Sequence, residues 1–593
     1  VSVLARTSDP LHELSPREAA EHAHLEALLR CWLRETDTPA PPGPLRIELP
    51  TVGRAVLTEV LHSSPTGWHR FGPVSCEHPG DHRRRGPAPA DPVMVATFLA
   101  TEAGARGGGI DTAEITDLVA RVADSVRQVT AFLTHRAAHP VPSGEVDGFL
   151  EAEQALVLGH LHHPAPKSRD DVSALESAGF SPETRAAFPL FWFAADPSVV
   201  SHDAVPGSPS LGGRDCVALL AELAGLPADG RVLVPAHPWQ ARDLLTRPRI
   251  AALVAAGLLE PLGPAGPPWW ATSSLRTVYR PDAPVMLKLS LGLRITNSRR
   301  ESTRTELRRG LEIHRLLDAG YAAATERAHP GFSIVRDPAW LAVDEPGRPE
   351  GPAVTGLDVA VREVPDGVAD LRCLAGLVAP RPGIGRSRLG QLVTGMGSGG
   401  AARWMADYTD RVLVPMLHLH AATGIGLEAH QQNTLVRLGP DGAVLGGAFR
   451  DNQGYYLAES HLPRVLGVLA DRHGESAAST LAVVPDALVD ERLSYYLLRN
   501  QVLAVVGCLG VDGVADEREL LAVLAGRLRA ALPALAAAGP DGDRLARRWL
   551  TAETLPCKAN LLTRLRGIDE VLAPLDAQSV YLDTPNPLLA AAS

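Results

Sequence analysis

One short segment constrains this chain more than any other. Glu428-Ala429-His430-Gln431-Gln432-Asn433 runs into an apolar stretch, Thr434 to Leu438. Gly439-Pro440-Asp441-Gly442 turns the chain, and a second apolar stretch ends at Phe449-Arg450-Asp451. Two apolar runs of strand length around a Gly/Pro/Asp turn predict a β-hairpin. Antiparallel pairing then brings Asn433, before the first strand, to the same end as Asp451, after the second. An amide oxygen and carboxylates gathered there (Asn433, Glu428 and Asp451) suit Mg²⁺, a hard cation that takes oxygen ligands and shares them with substrate phosphates. A polar hairpin with a capping Asn is the bland alternative.

Two further clusters carry charge toward an anion. Thr272-Ser273-Ser274-Leu275-Arg276-Thr277 is followed by Lys288, and then by Thr296, Asn297, Arg299 and Arg300. Lys288 sits in an otherwise apolar strand, Val285 to Leu291. Burying its charge alone is costly, so it must snorkel to water or meet an anion. Arg suits carboxylate with its planar fork, and Lys suits phosphate as a point charge. Arg304, Arg308 and Arg309 read as surface arginines on a helix. The third cluster is Gly159-His160-Leu161-His162-His163-Pro164-Ala165-Pro166-Lys167-Ser168-Arg169. Its histidines have neither the i, i+4 spacing nor the cysteine partners of a zinc site, so a proline-punctuated loop for oxyanions fits better. His237-Pro238-Trp239-Gln240 reads as a packed turn. The net charge of −11 argues against a nucleic-acid partner, so any anionic ligand must be met by such local pockets.

At 593 residues the chain exceeds what one core supports, so two or three domains are expected. Ser15-Pro16-Arg17-Glu18 is a capping box opening a helix whose apolar face carries Leu25, Leu28, Leu29, Trp32 and Leu33. A loop over Glu77 to Pro92, containing Arg83, Arg84 and Arg85, and a helix over Ile110 to Ala138 lead to a turn at Pro140 to Gly148. The first boundary falls there, giving domains 1–148, 149–378 and 379–593. Arg231 to Pro235 reads as a strand and Thr303 to Leu317 as a helix. Ala379 to Gly400 reads as a flexible, Gly-rich linker. Its Gly395 to Gly400 run lacks the Gly-Lys-Ser/Thr ending of a phosphate loop. Leu493 to Leu532, with a break near Gly510, and Gly542 to Leu572 read as helical. The class is mixed α and β. The six cysteines are scattered without a C-x-x-C pair, no long apolar run suggests a membrane span, and the start lacks the apolar core of a signal peptide. A cytoplasmic protein with neither nucleic acid nor membrane as partner is expected.

Taken together, the Gly159–Arg169, His237–Gln240, Ser273–Thr277, Lys288–Arg300, Glu428–Asn433 and Arg450-Asp451 segments, with Lys558 near the end, resemble the NRPS-independent siderophore synthetases, the aerobactin-synthetase-like IucA/IucC family. The order and spacing hold from about residue 150 to 566. The resemblance implies an α+β fold shaped as a three-part cupped hand, with an N-terminal thumb, central fingers and a palm remotely similar to kinases. It implies adenylation of a carboxylate, typically citrate, using ATP and Mg²⁺, with transfer of the acyl group to an amine or hydroxyl. Homodimers are common in the family. Carried over by motif, His163, Lys167, Ser274, Arg276, Thr277 and Lys288 would contact ATP, with Gln432 and Asp451 near the nucleotide. Glu428, Asn433 and Asp451 would surround Mg²⁺. Thr296, Arg300, His430 and Lys558 would hold the acid, and Arg300, His430, Lys288 and His163 would be the catalytic groups. Asp451-Asn452-Gln453-Gly454 leans toward free citrate. The chain departs from the pattern at Leu161, where the family has proline, and at Asp170-Asp171, where it has an apolar-Gly pair.

Two other readings stand beside this one. The hairpin serves phosphoryl transfer equally well, as in kinases, and a small-molecule kinase would form ADP; His430 stands where its catalytic Asp belongs. A non-catalytic citrate-binding homologue would bind without turnover.

Overall fold

The computed structural model describes residues 10–77, 87–107, 110–140, 147–169, 172–295, 298–344, 346, 356–473, 480–570 and 573–589. Thr296, Asn297, the Arg83–Arg85 run and Asp170-Asp171 lie outside the described residues.

The helix Pro16–Glu35 starts where its capping box dictates: Ser15 Oγ accepts from the Glu18 amide while Glu18 caps the Ser15 amide in return. Asp111 caps the long helix Thr112–Ala138 by accepting from the Ala113 amide. These two pack with the helix Pro92–Gly107 against a five-stranded antiparallel sheet led by Gly43–Leu49 and Arg54–His62. Leu28, Leu29, Trp32, Val56, Phe71 and Leu99 fill the core between them. Leu561 and Leu565 join it, so the C-terminal part of the chain returns to the N-terminal core.

The middle of the chain builds an eight-stranded sheet with every neighbouring pair antiparallel. Val285–Leu289 lies in its interior between Thr277–Tyr279 and Asp358–Glu363, and all five of its residues are buried. The hairpin forms as its turn chemistry predicts: Thr434–Leu438 pairs with Val444–Phe449, with Thr434 opposite Phe449. Its sheet is completed by Phe332–Ile334 and Leu371–Cys373. The largest core, which includes Trp404, Tyr408, Met416, Leu497 and Leu521, packs the C-terminal helices around it.

Three expectations change. Ala379–Gly400 is not an unstructured linker, because Ser387 Oγ caps a helix at Arg388–Gly395 and a second begins at Gly400. The helical reading of Gly542–Leu572 is interrupted by the strand Thr554–Lys558, paired with Tyr581–Pro585; Pro556 has no amide hydrogen to give a helix. Arg304 is no free surface charge: it pairs with Asp344 at 2.6 Å and stacks on Trp340. The helix Glu517–Ala538 is long and apolar enough by composition to cross a membrane, yet Leu520, Leu521, Leu524 and Leu528 are buried in the same core as Trp404.

Two buried histidines make the fold acid-sensitive. His24 bridges the Ala20 carbonyl and Ser125, and His237 caps a helix by accepting from the Trp239 amide. Burial holds them down to about 4 and about 3 respectively, against an ordinary 6.5. Both stay neutral in the fold but protonate in the unfolded chain, which then binds more protons. Stability is therefore lost as pH falls from 6.5 toward these values, by roughly 1.4 kcal/mol per pH unit for each group. Unfolding midpoints measured from pH 7 down to 4.5 should fall steeply, and His24→Asn should flatten the curve.

Candidate active site

The residues anticipated from sequence converge. His163, Lys167, Ser274, Arg276, Thr277, Lys288, Arg300, Glu428, His430, Gln432, Asn433, Asp451 and Lys558 all line one cleft of about 300 Å³.

Its first wall is the Gly159–Arg169 loop. Gly159 adopts φ +76°, and a Cβ there would lie 2.8 Å from Pro166 Cβ and 3.0 Å from Lys167 Cε, so only glycine lets the loop close on Lys167. The Lys167 amide donates to Ser125, the hydroxyl that also meets His24. Lys167 Nζ and Arg169 share Glu183, and Arg169 is further held by Ser181 and by the rings of Phe132 and Trp239. Arg169 thus sets the loop, and both cations line the cleft.

The second wall is the central sheet. Thr277 and Lys288 are cross-strand partners, and the Thr272–Thr277 turn is pinned by Ser274, which accepts from the Thr277 amide. Leu275 in that turn has φ +63°, and Asp451 opposite has φ +95°. Such conformations cost about 1–3 kcal/mol each and gather at functional sites. Arg276 donates to the Arg300 carbonyl and bonds Ser302, bracing the strand that carries Arg300.

The hairpin supplies the third wall. The Arg450 amide donates to the Asn433 carbonyl, which places Asn433 beside Asp451 as the register requires. Asn433 Nδ2 donates to the Glu428 carbonyl, and the Glu428 amide donates to Gly454. A Cβ at Gly454 would sit 2.9 Å from Glu428 Oε2, so glycine leaves room for that carboxyl. Burial, reinforced by the charge of Asp451, pushes Glu428 up to about 7. The carboxylates of Glu428 and Asp451, next to an amide whose nitrogen is already committed, are oxygen donors that fit Mg²⁺ sharing its shell with phosphates and water. Among the described residues no group of three His, Cys, Asp or Glu gathers that could hold an ion by itself.

The walls meet at a buried ion pair. Lys288, 3% exposed, donates from Nζ to Asp451 Oδ1 at 2.6 Å. Burial pushes Lys288 down to about 8 although Asp451 opposes it. Burial would raise Asp451, but Lys288, Arg362 and Arg276 outweigh it and hold that carboxyl far below the usual range. His430 is pushed down to about 4 by burial, so it is neutral at the edge of this cationic field. Lys558 ends the strand Thr554–Lys558 and pairs with Glu570 at 2.6 Å.

Several groups at this site were not anticipated. Glu153, fully buried, accepts from Arg450, from the Ser273 amide and from its hydroxyl; Arg450 also donates to the Gln432 carbonyl, and Gln432 donates to Ser273. This network clamps the hairpin to the central sheet. Asp337 grips Arg362 through two hydrogen bonds and so backs Asp451. Arg362 is the one cation of its strand, Asp358–Glu363, but Asp358 and Glu363 in the same strand mask the signal that picks out Lys288. Asn500 bonds the Gln431 amide and His160, joining two walls from a π-helical segment, Ser494–Val502. Nothing local marks Glu153 or Asn500.

The IucA / IucC family pattern matches residues 148–379. A pattern described as ferric iron reductase FhuF-like transporter matches residues 402–572. The rhizobactin siderophore biosynthesis protein RhbC of Rhizobium meliloti is 36% identical over 96% of this chain and 98% of its own. The spermidine-citrate ligase of Bacillus anthracis is 32% identical, over 97% and 98%. Among solved structures, the ATP-bound aerobactin synthetase IucA of Klebsiella pneumoniae superposes with a TM-score of 0.80 at 26% identity, covering 95% of this chain and 99% of that one. With full-length relatives above 30% identity, a shared fold and the family's motif residues around one cleft, the chain belongs to the IucA/IucC family of siderophore synthetases.

Proposed function

We propose that this protein is an AMP-forming ligase that adenylates a carboxylic acid, citrate foremost, and joins it to an amine or hydroxyl group. The observation that carries the reading is the meeting of Lys288 and Asp451 in one cleft with Arg276, Arg300 and Lys558. Citrate and ATP are both polyanions and repel each other unless cations intervene. Relatives named as spermidine-citrate ligase and L-2,3-diaminopropanoate–citrate ligase, and the ATP-bound structural relative, support the choice of substrates.

In this reading His163, Lys167, Ser274, Arg276, Thr277 and Lys288 hold the phosphates, with Gln432 near the nucleotide. Arg300, His430 and Lys558 hold the acid, together with Thr296. Mg²⁺, held by Glu428, Asn433 and Asp451, would offset phosphate charge. The cations align a carboxylate oxygen with the α-phosphorus. That oxygen attacks, the bond to the bridging oxygen breaks, and pyrophosphate leaves with the electron pair. An amine nitrogen or hydroxyl oxygen then adds to the acyl carbon, loses its proton, and expels AMP. Alignment of this kind can supply about 7–11 kcal/mol of the barrier, and charge stabilisation at phosphorus adds to it. Residues 1–148, 149–378 and 379–593 would form thumb, fingers and palm. Work with ATP and six free cysteines suits the cytoplasm.

A pyrophosphate-release screen over candidate acids crossed with amines tests the reading. AMP and pyrophosphate are expected; ADP with a phosphorylated product would sink it in favour of a kinase. Arg300→Ala should lower acid-dependent release by about a hundredfold or more, the scale of one lost charge contact, with the circular-dichroism spectrum unchanged.

A further inference from the structure

Three polar contacts beside the cleft cannot all be hydrogen bonds at once. Asn500 Oδ1 faces the Gln431 amide at 3.1 Å, Asn500 Nδ2 faces His160 Nε2 at 2.8 Å, and the His162 amide faces His160 Nδ1 at 3.0 Å. The backbone amides at the two ends of this row only donate. Between them, a carboxamide offers one accepting and one donating group, and a neutral imidazole offers one N–H and one lone pair. With Asn500 accepting from Gln431 and donating to Nε2, the ring proton lies on Nδ1 and meets the His162 amide donor to donor. Moving that proton to Nε2 sets it against Asn500 Nδ2. Turning the carboxamide over sets Nδ2 against the Gln431 amide. Charging His160 would add one more donor, and burial, reinforced by His163, pushes the ring down to about 3, so it stays neutral. Every arrangement is one acceptor short.

The row opens on the cleft, which Gln431, Asn500 and His160 all line, the last two half-buried. Its ends adjoin the groups assigned above to the acid. Gln431 follows His430 in the chain, and the His162 carbonyl accepts from Asn560, two residues past Lys558. The π-helical segment Ser494–Val502 that carries Asn500 also sends Arg499 to the Leu555 carbonyl, in the strand that ends at Lys558. One arrangement leaves both backbone amides satisfied: Asn500 Oδ1 accepts from Gln431, His160 Nδ1 accepts from His162, and Asn500 Nδ2 and His160 Nε2 present two N–H groups side by side. A carboxylate oxygen, which only accepts, can take both.

We propose that Asn500 and His160 are substrate-binding residues that donate together to one carboxylate oxygen of the acid, the acceptor this row lacks. This rests on the ligase reading above. The surrounding cations hold either polyanion by charge; the neutral pair adds direction, fixing how the acid is turned.

Pyrophosphate release by Asn500→Ala and Asn500→Asp, titrated with acid at saturating ATP and with ATP at saturating acid, tests this. Citrate is the probe, replaced by whichever acid drives release if citrate does not. Alanine removes one donor. Aspartate puts an acceptor in its place, and the row is then complete within the chain: the carboxylate accepts from Gln431 and from His160 Nε2, while Nδ1 accepts from His162. Asn500→Asp should therefore unfold no more easily than the parent. Both variants should nevertheless raise KM for the acid by about tenfold or more, the scale of losing a hydrogen bond to a charged group, with KM for ATP little changed. ATP is also the control for the added charge, which would repel both polyanions alike. A parental acid KM in Asn500→Asp marks Asn500 as a brace and overturns the proposal. Equal rises for acid and ATP, or a rise for ATP alone, overturn it as well. Should Asn500→Ala fail to fold, Asn500→Asp decides by the same outcomes. Release by the unsubstituted enzyme separates the two levels: release with an unmoved acid KM in the variants refutes this inference alone, and no release with any acid refutes the ligase reading and this inference with it.

Discussion

Replacing Asp451 by asparagine is expected to lower acid-dependent pyrophosphate release by about 10²–10³-fold, the scale of removing a preorganised charge contact. The substitution keeps the side chain's shape, and asparagine tolerates the positive φ that this position requires. What it removes is one negative charge. Lys288 at 2.6 Å and Arg362 at 3.6 Å then face each other with no carboxylate between them, and Arg276 adds to the repulsion. The metal-holding set is also reduced to Glu428 and two amides. ATP without metal should bind the variant better than it binds the parent, because three cations are released to its phosphates. Titration of both proteins with ATP in the presence of a chelator would check this. Near-normal pyrophosphate release would refute the role given to Asp451.

Glu153→Ala should be the most destabilising single change at the site, at about 3–5 kcal/mol, the cost of stranding one partner of a buried pair. Glu153 is fully buried, and its carboxylate receives Arg450 and both the amide and hydroxyl of Ser273. Without it, the Arg450 guanidinium stays inside with only neutral partners, the Gln432 carbonyl, the Ser273 hydroxyl and the Cys373 sulfur, and the Ser273 turn loses its anchor. A lower unfolding midpoint in urea and loss of ATP binding are expected together. The double substitution Glu153→Met with Arg450→Met should recover much of the stability, since no charge is left buried. It should recover little of the activity, because the clamp between hairpin and sheet is gone. An unaltered midpoint in the single variant would show that the pair is not the clamp.

The two variants also separate two kinds of residue. Asp451 lines the cleft itself and is legible in the sequence, because a carboxylate just past a strand end next to an Asn is a local pattern. Glu153 acts only through Arg450 and Ser273 and was not visible, because its partners lie 297 and 120 positions away. The same division runs through the fold. The capping box at Ser15 and the hairpin around Gly439–Gly442 depend on neighbours within a few residues, so they formed as read. The strand Thr554–Lys558 reads as helix from its local sequence because its pairing with Tyr581–Pro585 is supplied by a segment more than twenty positions on, which no local propensity records.

By itself, then, the amino-acid sequence determined the hairpin register, the helix starts, the lone lysine that had to find an anion, and the motif order that marks the family. These follow from local sterics, turn chemistry and the cost of burying charge. Only the tertiary structure decided which carboxylate Lys288 meets, that Lys558 is paired with Glu570, and that Glu153 locks the walls together. Those choices are made between segments far apart in the chain, and it is packing of the cores that brings them within hydrogen-bonding distance.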